Sequence, residues 1–160
     1  MVDWDWGTRP TYGSEHIRIE TTQSPVVLYD MLLPRQLEDH ESQLMLSVAE
    51  ERLRKGQPFL GLIRQRHGTG VISARNRKIF ADWLDEHREE LTEAGFTIVI
   101  VMPEAIYRAV LRVVYRFRTP PLRTITTSDV PSAVDAVRAE LAALGEPMRP
   151  ELEEFLARLD

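Results

Sequence analysis

The residues of this chain that could do chemistry gather between positions 64 and 78, where glycine, serine and basic side chains come close together. The tetrapeptide HGTG at 67–70 places Thr69 between two glycines, which let backbone amides approach an anion. Ser73 is a preferred N-cap residue, so a helix is predicted to begin there, with Arg75 in its first turn. Free amides and the helix dipole favour an anion at such a terminus. The Lys-Ser/Thr ending of a phosphate loop is missing. Two interpretations stand: a flexible loop, and a site for an anionic ligand or acidic partner.

Catalytic and metal-binding patterns are missing from the rest of the sequence. The four histidines are scattered and form no HExxH or HxH arrangement, so no metal site is predicted. No Ser-His-Asp set has a sensible context, and the motif G-x-S-x-G is absent. The lack of cysteine excludes disulfides, thiol catalysis and cysteine metal sites. We predict that the protein is not an enzyme and uses no cofactor.

Composition sets broad limits on the class of protein. The chain has 160 residues, 43% of them hydrophobic and 28% charged, which is typical of one globular domain. A formal net charge of -5 argues against general nucleic-acid binding. No apolar run approaches the length of a membrane-spanning helix, and the N-terminus does not resemble a signal peptide. These features predict a cytoplasmic protein without a transmembrane segment.

The segment at 103–117 stands out as a helix with too much apolar surface. At about 100° per residue, a broad apolar half is followed by an arginine stripe of Arg108, Arg112 and Arg116. Between these two sectors lies a second, semi-apolar stripe of Tyr107, Leu111 and Tyr115, which we call the tyrosine stripe. An ordinary surface helix would carry Glu or Lys there. The pattern predicts that the broad half packs on the domain and that something else covers the tyrosine stripe.

Periodicity places these residues in an alternating fold. An N-terminal hairpin is followed by helices that alternate with strands, in the order ββαβαβαβα plus a C-terminal helix. This order predicts an α/β class with a mainly parallel sheet, right-handed crossovers and helices covering the sheet. The continuous apolar run FTIVIVM at 96–102 fits a central strand that is covered on both faces.

The predicted domain covers residues 16–145, with an irregular arm at 1–15 and a helical extension at 146–160. Trp4 and Trp6 are unusual in an otherwise polar arm. They either fold back onto the domain or form a short partner-docking element.

The layout resembles the SpoIIAA-like branch of the STAS and Sec14-related folds, which are small bacterial domains. The resemblance covers about 17–144, and it is carried by the segments PFLGLI, SARNRKIFADWLDEHREEL, TIVIVMP, EAIYRAVLRVVYRF, RTITTSD and PSAVDAVRAEL and by the pair Pro120-Pro121. STAS regulators of sigma factors carry a phosphorylatable Ser or Thr in an Asp-Ser-x-x-Gly setting. The resemblance makes Ser73 the matching candidate and Thr69 a weaker one, although the flanking Asp and Gly are absent.

Three functions follow as expectations. The first is a regulatory or protein–protein interaction module of STAS type, in which the 104–117 helix meets a protein partner or a second copy in a homodimer through Tyr107, Leu111, Arg112, Tyr115 and Arg116. In the competing interpretation, the tryptophan arm or the C-terminal helix covers the tyrosine stripe within the chain. The second function is binding of a small apolar or lipid ligand, with this helix as a gate. The third is a phosphorylation-switched regulator that depends on Ser73.

Overall fold

The computed structural model describes residues 11–13, 16–32, 36–65 and 73–159. Within them a single six-stranded sheet runs in sequence order: β1 Thr11–Gly13, β2 Ile17–Glu20, β3 Val26–Met31, β4 Leu60–Gln65, β5 Thr97–Val101 and β6 Arg123–Thr127. Strands β1 to β3 pair antiparallel, and strands β3 to β6 pair parallel. The helices are α1 Asp39–Arg54, α2 Ala74–Glu86, α3 Arg88–Ala94, α4 Ala105–Phe117, α5 Val130–Leu144 and α6 Pro150–Ala157. The α/β class and the mainly parallel sheet agree with the sequence prediction.

The element order differs from the prediction in two places. Strand β1 lies in the segment that was predicted to be an irregular arm, where it pairs with β2 through Thr11 and Glu20. The long helix predicted to start at Ser73 is divided at His87, whose backbone leaves the helical range at φ -102 and ψ 18. The His87 ring stacks on Trp83, and its Nδ1 lies 3.0 Å from the Trp83 carbonyl oxygen. The His87 N–H keeps the regular helical bond to this carbonyl at 3.1 Å, so the break is confined to the backbone angles of His87.

The strand order explains which helices share a face of the sheet. Each parallel strand is added on the same side of the previous one, so right-handed crossovers place α1, α2–α3 and α4 on one face. We call this the crossover face. Its core is formed by buried side chains of β2, β3, α1 and α2–α3, with Phe59 stacked on Phe96 at 4.9 Å.

The opposite face is closed by α5 and α6. Apolar residues of α5 pack against β4 and β5, and α6 adds Leu152, Phe155 and Leu156 to the same buried cluster. Helix α6 therefore lies far from the tyrosine stripe, and the prediction that the C-terminal helix might cover that stripe is wrong.

A buried ion pair fastens the chain end to the sheet. Asp30 on β3 is 1% exposed, and the guanidinium of Arg64 on β4 donates to both of its carboxylate oxygens, at 3.1 and 2.8 Å. Arg64 Nη1 also donates to the carbonyl oxygen of Leu159 at 2.7 Å. One arginine thus joins two parallel strands to Leu159, two residues beyond the end of α6.

Replacing this arginine should destabilise the whole domain. Arg64→Met removes the bidentate partner of a buried carboxylate and frees the end of α6, so we expect the free energy of unfolding to fall by about 3 kcal/mol. Urea denaturation measures this change. Arg158→Met removes the exposed pair with Glu154 and should cost less than about 1 kcal/mol. Equal losses in the two variants would contradict the role given to Arg64.

Candidate functional site

Helix α4 is turned the opposite way from the sequence prediction. None of its 13 residues, all of them in the described part of the chain, is buried. The tyrosine stripe is half-buried against the domain, whereas the predicted core side faces outward, with Ile106 70% and Phe117 85% exposed. Tyr107, Leu111 and Tyr115 are therefore not the open interface that the pattern indicated.

Polar contacts explain this orientation. Burial raises the pKa of the Tyr115 hydroxyl, and its interaction with the Thr124 side chain on β6 partly offsets this rise. Arg108 Nη1 donates to the carbonyl oxygens of Met102 and Pro103, at 2.6 Å each, and so ties the first turn to the end of β5. Just after the helix, Arg118 is paired with Asp85 on α2. Valine and isoleucine offer no such contacts, so the polar contacts of Arg108, Tyr115 and Arg118 favour the observed orientation.

An apolar cavity of about 480 Å³ lies on the crossover face, bordered by α4. Ile63, Ile98 and Ile100 of the central strands line it. Side chains of α1, α2 and α4 add to the apolar lining, and those of α2 and α4 include Phe80, Ala81, Leu84, Leu111, Val114 and Tyr115. This volume lies within the range of about 300–1,000 Å³ that is usual for small-molecule pockets.

Two paired polar groups contribute to the lining of the cavity. In the first, His16 Nδ1 lies 3.0 Å from Oε1 of the buried Glu41, whose other oxygen accepts from the backbone N–H of Glu38 at 2.9 Å. The second is the pair of Asp85 and Arg118 beside the end of α4. These two groups are held in place by their own partners, as polar groups are in pockets that orient a mainly apolar ligand.

The structure accounts for part of the predicted anion site. Ser73 is the N-cap of α2, and its Oγ accepts from the backbone N–H of Asn76 at 3.0 Å. Arg75 is paired with Asp39, and Arg64 is directed to Asp30 and away from any external anion. Thr69 lies outside the described residues.

The structure does not test the prediction for the N-terminal tryptophans, because Trp4 and Trp6 lie outside the described residues. No group of three or more metal-ligating side chains is found among residues 11–13, 16–32, 36–65 and 73–159. In the same part of the chain, no helix is both long and apolar enough to cross a bilayer.

Sequence reasoning missed the residues that line the cavity. The run FTIVIVM is apolar throughout, so it does not distinguish Val99 and Val101, which are buried under α5, from Ile98 and Ile100, which line the cavity. The alternation becomes visible only when the packing of both faces is known. No sequence signal marked Phe80 or Ala81 as anything other than core.

Comparison with known proteins establishes the fold. No protein-family model matches the chain, and no curated protein matches it. A solved structure from Shewanella loihica, an uncharacterised protein of the DUF3478 family with a SpoIIAA-like fold, is similar with a TM-score of 0.51. The identity is 17%, over 74% of this chain and 90% of that one. The chain has a SpoIIAA-like fold, as the resemblance in its sequence indicated.

The reversed orientation of α4 can be tested with two substitutions in one helix. Leu111→Asp places a charge against the cavity wall and should destabilise the domain by about 1–3 kcal/mol, which lowers Tm by roughly 2–10 °C for a chain of this size. Val113→Asp, on the outward side, should leave Tm nearly unchanged. Thermal unfolding followed by circular dichroism provides the measurement. A larger loss for Val113→Asp than for Leu111→Asp would restore the orientation predicted from sequence.

Proposed function

We propose that this protein binds a small, largely apolar molecule in the cavity bordered by α4, and that it acts as a non-enzymatic carrier or sensor of that molecule. The observation that carries the proposal is the cavity itself, with about 480 Å³ of space and mostly aliphatic and aromatic walls. Water in such a space has few polar partners. An apolar molecule that displaces this water gains the free energy of removing apolar surface from solvent.

The packing of the domain favours a ligand over a simple packing defect. Protein interiors are close-packed, and voids larger than a few water molecules are uncommon. The opposite face of this same sheet is closed by α5 and α6, so the chain is able to fill such a surface. On the crossover face it places α4 at the edge of an open volume and directs several large apolar side chains of that helix outward.

Unsatisfied polar atoms in the cavity lining suggest a ligand with a small polar group. Gln65 and Trp83 both line the cavity, and the Oε1 of Gln65 and the Nε1–H of Trp83 have no hydrogen-bond partner within the described residues. Each such buried group costs about 1–3 kcal/mol. A fatty acid, an alcohol or a similar amphipathic molecule offers the donor or acceptor that this region lacks.

The regulatory function expected for a STAS-type module fits this proposal through α4. Because Leu111, Val114 and Tyr115 border the cavity, a ligand contacts the helix directly. Occupancy would therefore stabilise one position of α4, and a partner that contacts the helix would detect that position. Phosphorylation of Ser73 stays a separate prediction, since this hydroxyl caps α2.

Filling the cavity should prevent ligand binding without unfolding the protein. Ala81→Phe adds a ring to a half-buried wall of the cavity, and we expect it to weaken binding of a fluorescent sixteen-carbon fatty acid by at least about 10-fold, an effect of about 1.4 kcal/mol. Fluorescence titration gives the Kd, and native mass spectrometry of the purified protein shows whether a ligand copurifies. Ala139→Phe, on the exposed side of α5, is the matched control and should bind normally. Unchanged binding by a folded Ala81→Phe protein would contradict the proposal.

A further inference from the structure

The outward side of α4 forms an apolar surface that the domain leaves uncovered. We name its four large side chains, Ile106, Val110, Val113 and Phe117, the outer face; each is more than half exposed. On the helix wheel Arg112 and Arg116 run along one edge of this face. We propose that the outer face docks α4 in the plane of an anionic lipid bilayer, with its apolar side chains in the interface and these two arginines at the headgroups.

The charge distribution favours an anionic surface as the occupant. The chain contains 25 acidic residues, yet the 24 residues at 105–128 include none and include five arginines. Three of these five are held by partners inside the domain: Arg108 by backbone carbonyls, Arg118 by Asp85 and Arg123 by Glu140. Arg112 makes only a long contact of 3.5 Å, from its Nε to the carbonyl oxygen of Arg108 in its own helix. Among the described residues, Arg112 and Arg116 form no ion pair. Two exposed cations therefore accompany the outer face in an otherwise acidic protein.

The dimensions of α4 agree with docking in the membrane plane. Its 13 residues span about 20 Å at 1.5 Å per residue, which is too short to cross a hydrocarbon core of about 30 Å. A short helix with an apolar face and flanking arginines is typical of interfacial membrane helices. Its outward orientation means that docking requires no rearrangement of the domain.

A second copy of the chain is a weaker candidate for the same face. The outer face alone offers a footprint of roughly 200 Å², against about 800 Å² per partner in a stable interface. In an antiparallel two-fold pairing of α4 helices, the same edge of both helices meets, as in antiparallel coiled coils. Arginines of the two copies would then face one another without an acidic residue on either helix. Like charges in that position oppose association.

Docking would also bring the cavity close to the bilayer, because Leu111 and Val114 of the same helix line it. The membrane would then be a source of the apolar ligand, and this link rests on the proposed function. The docking proposal itself is independent of the proposed function, because the outer face and its arginines point away from the cavity.

Vesicle co-sedimentation tests the docking. Wild-type protein should bind vesicles of phosphatidylcholine and phosphatidylglycerol, bind pure phosphatidylcholine vesicles more weakly, and lose most of the difference at high salt. Phe117→Asp and Val113→Asp should each lower partitioning at least about 10-fold. Arg112→Gln combined with Arg116→Gln should lower partitioning to anionic vesicles by about 25-fold, roughly 5-fold for each arginine. Phe117→Leu keeps an apolar side chain and should retain most of the binding.

Matched controls separate docking from nonspecific effects. Leu144→Asp and Met148→Asp replace large apolar side chains that are exposed away from α4. Arg158→Gln removes an exposed arginine. All three variants should bind vesicles like the wild-type protein. Absence of wild-type binding to anionic vesicles, or equal losses in controls and outer-face variants, would overturn the proposal. The proposal would also be overturned if light scattering showed a wild-type dimer, Phe117→Asp dissociated that dimer, and the wild-type protein bound no vesicles. Fatty-acid titration of the outer-face variants should give the wild-type Kd, so failed docking and failed ligand binding are distinguishable.

Discussion

The strand order of the sheet is the constraint on which the rest of this structure depends. Because β3 to β6 are added in one direction and in sequence, every crossover helix lies on the same face. Helix α4 comes last on that face and borders the cavity together with α2 and strands β4 to β6. After β6 no further strand is added among the described residues, so α5 and α6 cross to the other face and close it. The cavity and the exposed helix both follow from this asymmetry.

Helix α4 had two sides that could face the domain, and the less apolar one does so. Burial of a large aliphatic or aromatic side chain is worth about 1.5–3 kcal/mol, so the outer face forgoes several kcal/mol by staying in solvent. The tyrosine stripe contributes less apolar surface, but it allows the buried Tyr115 hydroxyl to interact with the Thr124 side chain. An exposed apolar face of this kind is costly in an isolated domain, and it becomes favourable when a second surface covers it.

Sequence reasoning found the elements of this fold and missed the direction in which one of them faces. The preference of Ser73 for the N-cap position identified the start of α2. In the structure α5 ends at Gly145, whose φ of 72° is easily adopted only by glycine. A helix wheel shows which residues of α4 share a side, but it does not show which side meets the sheet. That choice depends on contacts with other elements, such as the pair of Arg118 with Asp85 on α2, and the periodicity of α4 contains no information about those contacts. Strand β1 has only three residues, too few to produce a pattern.

Helix α4 borders the cavity on one side and carries the proposed docking face on the other, so a change in its position would link the two sites. If a ligand in the cavity favours one position of α4, and if the bilayer binds that same position more tightly, then membrane contact must raise ligand affinity by the same factor. The contacts that would transmit this coupling are few: the tyrosine stripe on the inner side, Arg108 at the start of the helix and Arg118 just beyond its end. The contacts of Arg108 and Arg118 attach both ends of α4 to the domain, so we expect a ligand or a bilayer to displace the middle of the helix most easily. Leu111 and Val110 lie in this middle part of the helix, Leu111 against the cavity and Val110 on the outer face. A ligand that displaces Leu111 would therefore also displace Val110, and so alter the surface that meets the bilayer.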